Sequence, residues 1–471
     1  MCARSRISGV DTAWLRMESP TNLMMIVGVM TFRERLDLAT VRRMIAARFL
    51  AYRRFRCRAV QDAAGAWWEE DVALDLRWHV RKHPSRATRG KEGLEQVVSE
   101  LASTPLDFER PLWQFHLVDY GRGSAIVTRI HHCYADGIAL IQVMLSMTHA
   151  SAEGSLAVEA PAAPDESESD ADFWAQVLAP VTNTLGGAAR LGKGIVEQGK
   201  NLAADPKAAT DALQGATKKG FDFATEVARL LLMEKDSATR FRGALGTRKR
   251  AAWATPLPLD EVKTVGKALG CSINDVLLSM AAGALRDYLR EKGDEVAPEV
   301  RAIVPVNLRP VAQTGKLGNQ FGLVFLALPI GIENPLERLY AVRARMRELK
   351  GSYQPIIALG LLGAVGYGPR VLQDQVTQLL GQNASAVMTN VPGPQHPLYF
   401  AGRRIDELDF WVPQSGGIGM GVSILSYDGR IQFGVITDAG LVPDPERIVG
   451  RFGEEFEKLL WIALMSPWGT P

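Results

Sequence analysis

Cysteine is scarce. The chain has four in 471 residues, Cys2, Cys57, Cys133 and Cys271, and no two stand at a metal or redox spacing. A disulfide-stapled scaffold and a cysteine zinc site are excluded, and free thiols in a reducing compartment are expected. Net charge is nearly absent at +2, which argues against a dedicated nucleic-acid binder. No uninterrupted apolar run reaches the roughly 18 to 20 residues of a membrane span. The nearest, residues 355–368 (PIIALGLLGAVGYG), is short and broken by glycine. The opening MCARSRISGVDTAW lacks the apolar core of a signal peptide. A soluble protein, or one bound to a membrane from the cytoplasmic side, is expected. Histidine is scarce too, seven in all, yet two of the seven are adjacent.

Those two are His131 and His132, within residues 124–140 (SAIVTRIHHCYADGIAL). An apolar, β-branched run predicts a strand, a turn-like segment a loop, and the run after Asp136-Gly137 a helix. Neighbours on an extended chain point to opposite faces. His131 and His132 therefore should not both reach one small reactant: one is free to act as a base while the other packs behind it. The same geometry weakens a metal reading, since adjacent histidines rarely ligate one ion and no Cys or Glu joins them at ligand spacing. Asp136 suits an orienting role, provided its charge is paired. Gly137 permits either a backbone angle closed to other residues or close approach of a substrate. A core strand that happens to end in histidines remains the competing reading.

Length and a 47% hydrophobic composition allow two or three domains with large cores. Residues 1–150 read as one α/β unit. It has a buried strand at 25–32, helical periodicity at 36–50 and 92–101, a hairpin over 53–70, and a strand at 113–120 antiparallel to the histidine strand. Residues 151–250 change character. An Ala-, Pro-, Glu- and Ser-rich acidic linker leads into helical stretches at 173–185 and 223–231. Arg240, Arg242, Arg248, Lys249 and Arg250 follow without an intervening acid. An amphipathic helix beside such a cluster suits an anionic membrane; helices crossing over the main body are the alternative. Residues 251–471 read as a second α/β unit. Ser272 caps a helix from 273 with Asp275 three residues on, and strands follow at 300–306, 321–330 and 385–391. Asp428-Gly429 marks a hairpin, and a helix from 445 closes the chain.

The run His131-His132-Cys133-Tyr134-Ala135-Asp136-Gly137 matches the HHxxxDG signature of the CoA-dependent acyltransferase superfamily. Further motifs narrow the likeness: Pro111-Leu112-Trp113, Asn274-Asp275, Gly318-Asn319-Gln320-Phe321-Gly322, Asn390-Val391-Pro392-Gly393-Pro394, and the opening Asp11-Thr12-Ala13-Trp14-Leu15. Together they resemble the bacterial wax ester synthase/diacylglycerol acyltransferase family over nearly the whole chain.

That resemblance implies an α/β fold of two chloramphenicol-acetyltransferase-like domains, each a mixed sheet with flanking helices, joined by a helical crossover with a tunnel between them. It implies transfer of a fatty acyl group from acyl-CoA to a fatty alcohol or a diacylglycerol. No metal or other cofactor is expected, acyl-CoA being a co-substrate. His132 is the expected general base, and Asn274 the candidate oxyanion donor, directly or by shaping its helix terminus. His131 holds its neighbour. In related enzymes the signature aspartate pairs with an arginine of the other half, and Arg309 fits that role for Asp136. Gly137, Trp113 and Asn390 are the candidate substrate-binding residues, with plain core packing the competitor for Trp113. Asp275 and Pro111 are expected to be structural. The resemblance places the protein in the cytoplasm, peripheral to the inner face of the membrane or to lipid droplets, with no nucleic-acid partner. Another HHxxxDG acyl transfer and a non-catalytic lipid-coat protein are the alternatives.

Overall fold

The computed structural model describes residues 4–62, 65–84, 90–158, 233–307, 321–350, 352, 354–355, 357–359, 381–413 and 417–466. Most of the crossover at 151–250, the turn at 315–319 and Arg309 lie outside them.

The first half begins with β1 (Arg4–Arg6), α1 (Gly9–Met17) and β2 (Met25–Phe32). Ser8 caps α1 by accepting the Asp11 N–H at 3.0 Å. After α2 (Leu38–Met44), the hairpin forms from β3 (Cys57–Asp62) and β4 (Gly65–Glu70). It starts later than the apolar pattern suggests, because Arg53–Arg56 closes a short helical turn instead. Then come α3 (Leu76–His79), β5 (Val80–Lys82) and α4 (Lys91–Ala102). β6 (Trp113–Tyr120), β7 (Gly123–His131) and α5 (Gly137–Ser146) complete the half.

The second half opens with β8 (Lys249–Trp253), β9 (Leu257–Pro258), α6 (Leu259–Ala268) and α7 (Ile273–Glu291). The capping box at α7 is closed: Ser272 Oγ accepts the Asp275 N–H, and the Asp275 carboxylate accepts the Ser272 N–H. β10 (Val300–Asn307), β11 (Phe321–Leu328), α8 (Pro335–Leu349) and β12 (Ala386–Pro392) follow. After them come β13 (Tyr399–Phe400), β14 (Arg403–Arg404) and β15 (Glu407–Trp411). β16 (Met420–Tyr427) and β17 (Arg430–Asp438) form a hairpin, and α9 (Pro445–Met465) ends the described chain. Asp428 and Gly429 both take positive φ, 49° and 70°, as the two-residue turn requires.

Two mixed sheets carry the halves. One runs β15-β2-β7-β6-β5, the other β11-β10-β12-β16-β17-β8 with β9 also on β17. The halves interlock rather than merely touch. β15 crosses over to pair antiparallel with β2, so the division at residue 251 is not clean, and five residues of the second half finish the first sheet.

The second seam has a simple geometric cause. Ser103 Oγ, Ser99 Oγ and Glu95 Oε1 accept the N–H groups of Lys249, Ala251 and Trp253 at 2.8, 2.9 and 3.3 Å. Residues four apart on a helix rise about 6 Å, and residues two apart on a strand about 6.7 Å. The helix side chains therefore serve as the missing partner of edge strand β8.

Much of the basic cluster, for which a membrane surface is one of two readings, is occupied by ion pairs. Lys249 is buried, with its ammonium 2.9 Å from Asp438. Arg240 pairs with Asp294, and Arg250 lies 3.8 Å from Glu446. Among the described residues no single helix is long and apolar enough to cross a membrane.

Candidate active site

Strand β7 and its continuation set the two histidines. The His131 N–H donates to Leu112 O and the His132 N–H to Met24 O, so the backbone stays extended and the side chains part. His131 Nδ1 accepts the Cys133 N–H at 3.1 Å. As a neutral ring it then carries its proton on Nε2, which lies 3.6 Å from the Glu18 carboxylate. Glu18 also accepts the Met24 N–H. His131 thus ties the signature loop to the end of α1, with the Phe108 ring edge-on at 5.9 Å.

His132 faces the other way. Its ring stacks on Trp14 at 4.3 Å, and Phe321 of the second half lies 5.8 Å off. The loop behind it is pinned. The Tyr134 hydroxyl donates to Cys57 O at 2.6 Å, and Arg54 donates to Tyr134 O at 2.9 Å. Burial pushes the Cys133 thiol well up, leaving an inert neighbour. Asp136 caps α5 by accepting the Ala139 N–H at 2.8 Å. His79 and His116 are of another kind: burial pushes them down to about 4 and about 3, so they are neutral core rings.

A cavity of about 850 Å3, open mouth included, lies between the halves. The first half contributes Trp14, Met17, His132, Asp136 and Gly137. The second contributes Ile303, Phe321, Leu323, Val387, Thr389, Asn390 and Phe410. Apart from the Trp14 indole, the polar side chains on its wall among the described residues are His132, Asp136, Thr389 and Asn390. A second, more apolar cavity of about 550 Å3 lies under α5, against Ile26, Met30, Ile130, Leu140 and Met144. The two cavities share Gly137 and Phe410.

The candidates are therefore sorted by place. His132, Asp136 and Gly137 of the first half and Asn390 of the second line one cavity. Trp113 does not line it: fully buried, it donates its indole N–H to Phe55 O at 2.8 Å and stacks on His79. Pro111 precedes β6 by two residues, its carbonyl accepting the Trp113 N–H. Asn274 stands behind Asn390, accepting its side-chain N–H, and is not on the wall. Asp275 belongs to the capping box. Gly137 needs no special backbone angle, as the first residue of α5. A Cβ there would meet Val412 and Phe410 at 3.6 and 3.8 Å, so its effect is to leave open space where the cavities join. Glu18 and the Trp14 stack were not legible from spacing, since each acts across loops of unrelated sequence. Among the described residues no group of three His, Cys, Asp or Glu could hold a metal ion.

Comparison with known proteins decides the family. The wax ester synthase/diacylglycerol acyltransferase catalytic domain matches residues 7–277, and the WS/DGAT C-terminal domain residues 317–460. This chain belongs to the WS/DGAT family. A putative diacylglycerol O-acyltransferase of Mycobacterium tuberculosis is 26% identical over 99% of this chain and 92% of its own length. A probable one from the same organism is 27% identical over 85% and 83%. In fold, the chain is similar to the wax ester synthase/diacylglycerol acyltransferase of Marinobacter aquaeolei. The TM-score is 0.66 and the identity 21%, over 98% of this chain and 100% of that one. The first condensation domain of the calcium-dependent antibiotic synthetase follows with a TM-score of 0.58 and 16% identity, over 98% and 97%. The WS/DGAT chain described here is thus an acyl-CoA-dependent O-acyltransferase with the two-half chloramphenicol-acetyltransferase-like fold.

Proposed function

We propose that the cavity between the halves is where a long-chain acyl group passes from acyl-CoA to the hydroxyl of a fatty alcohol or a diacylglycerol, with His132 as the base. The supporting observation is the placement of one aromatic-stacked histidine in a largely apolar cavity lined by both halves. His132 removes the acceptor's hydroxyl proton as its oxygen attacks the thioester carbonyl carbon. The tetrahedral intermediate then collapses, the carbon–sulfur bond breaks, and the same proton passes to sulfur. An ester and free CoA leave. His131 and Asp136 hold the loop and helix that carry the base. No metal or other cofactor takes part in this scheme, and unchanged activity in a chelator checks that.

Joining two lipids requires room for two hydrocarbon chains. The second cavity, reached past Gly137 and Phe410, supplies apolar space for one of them. Substrates of this kind reside in membranes and lipid droplets, and we place the protein at such a surface on the cytoplasmic side. Trp461, Leu464 and Met465 project from the end of α9, 62%, 52% and 76% exposed, a composition suited to a lipid interface. Flotation with phospholipid vesicles tests this; protein left wholly in the soluble fraction would refute it. The catalytic reading is tested by incubating purified protein with palmitoyl-CoA and either hexadecanol or dioleoylglycerol, with thin-layer detection. Wax ester or triacylglycerol is expected, and neither product forming would overturn it.

A further inference from the structure

Among the described residues, the polar groups on the wall besides the base His132 are four: Asp136, Thr389, Trp14 and Asn390. Asp136 is committed to capping α5, accepting the Ala139 N–H at 2.8 Å. The Thr389 hydroxyl is directed to Val422 O at 3.3 Å. The indole N–H of Trp14 is sealed inside the wall, away from a molecule in the cavity. Asn390 is left. It stands near the end of β12, a strand flanked on both sides by parallel neighbours, and is among the residues that line the cavity shared with His132. Its amide carries two N–H groups. One donates to Asn274 Oδ1; no second partner for that amide occurs among the described residues.

Asn274 stands where it could hold Asn390 without other duties. It lies in the first turn of α7, whose terminus is already satisfied by the Ser272–Asp275 capping box. Its side-chain oxygen fixes one amide proton of Asn390 and thereby the direction of the other.

We propose that Asn390, rather than Asn274, donates the hydrogen bond that stabilises the thioester oxygen as it becomes an oxyanion, and that Asn274 is the positioning residue for Asn390. The inference rests on the acyl-transfer reading above. A donor fixed in place before charge develops, in a wall that excludes water, requires no reorganisation during the reaction.

The test is steady-state kinetics of six purified proteins with palmitoyl-CoA and hexadecanol: wild type, Asn390→Ala, Asn390→Asp, Asn274→Ala, Asn274→Asp and the double Asn274→Ala/Asn390→Ala. The isosteric Asn390→Asp lacks N–H donors and guards against a packing artefact of Asn390→Ala. Both changes at 390 are expected to lower kcat about 10²- to 10³-fold, with KM for palmitoyl-CoA moved by less than about threefold and melting temperature held. Asn274→Asp keeps an acceptor oxygen for Asn390 and should retain most of kcat; Asn274→Ala should fall towards the Asn390 variants. The double Asn274→Ala/Asn390→Ala variant should be no slower than Asn390→Ala alone, because both act through one group. Asn274→Asp as slow as Asn274→Ala, with Asn390→Asp near wild type, would make Asn274 the donor and overturn the proposal. Losses that multiply in the double variant would overturn it equally. If wild type forms no ester, it is the acyl-transfer reading that fails.

Discussion

Replacing Asp409 by Asn should stabilise the protein, and by more as pH rises. Asp409 lies in β15, the strand that crosses into the first sheet. Asp409 is buried, borders the cavity under α5, and has Glu407, Lys91 and Glu95 as its charged surroundings. There burial, and then the Glu407 carboxylate, push its pKa up to about 8, with Glu95 adding and Lys91 opposing. An ordinary aspartate titrates near 3.8. Between those values the folded protein keeps a proton that the unfolded chain has released. The group's contribution to stability is therefore fully present below 3.8 and is lost as pH rises through about 8. At 1.36 kcal/mol per pKa unit, the cost is roughly 2 kcal/mol at pH 5, 4 at pH 7 and 6 at pH 9. Asn has nearly the same shape and no such cost. For a chain of this length unfolding as one unit, 1 kcal/mol corresponds to about 1 °C in Tm. Thermal melts at those three pH values should show the Asp409→Asn variant gaining about 2, 4 and 6 °C over wild type. A difference that is flat with pH, or a variant less stable at pH 9, would mean that Asp409 is ionised and paired in the fold.

Arg338 and Glu455 form a buried pair, both nearly inaccessible, with Lys458 2.5 Å from the other Glu455 oxygen, so Arg338→Ala should cost up to about 3 kcal/mol by leaving the carboxylate with its half-exposed partner alone; denaturant melts check it. Met144→Trp should fill the cavity under α5 and shift acyl-donor preference towards shorter chains. A panel of acyl-CoA lengths reads this, and an unchanged profile in a folded variant would remove the second cavity from substrate binding.

Much of the architecture was legible from local pattern. The strand–loop–helix around His132, the capping box at Ser272 and the turn at Asp428-Gly429 each declare themselves within a few residues. What escaped depends on distant partners. Nothing in Glu407–Trp411 marks it for a sheet begun at residue 25, since strand pairing leaves no local signature of its partner. Trp113 read as either site wall or core packing, and the structure puts it in the core, where the Phe55 carbonyl accepts its N–H. Asn274 read as a catalytic donor because helix N-termini suit oxyanions. Only the position of Asn390 between it and the cavity assigns it to second place. For Gly137 the sequence allowed a special backbone angle or close approach of a substrate, and its helical placement at the junction of two cavities favours the second.

The central claim is that His132 moves the proton. Purified His132→Ala, checked for an intact melt, should lose about 10²- to 10⁴-fold in ester formation from palmitoyl-CoA and hexadecanol relative to wild type. Ester formation at the wild-type rate by a folded His132→Ala protein would contradict the account.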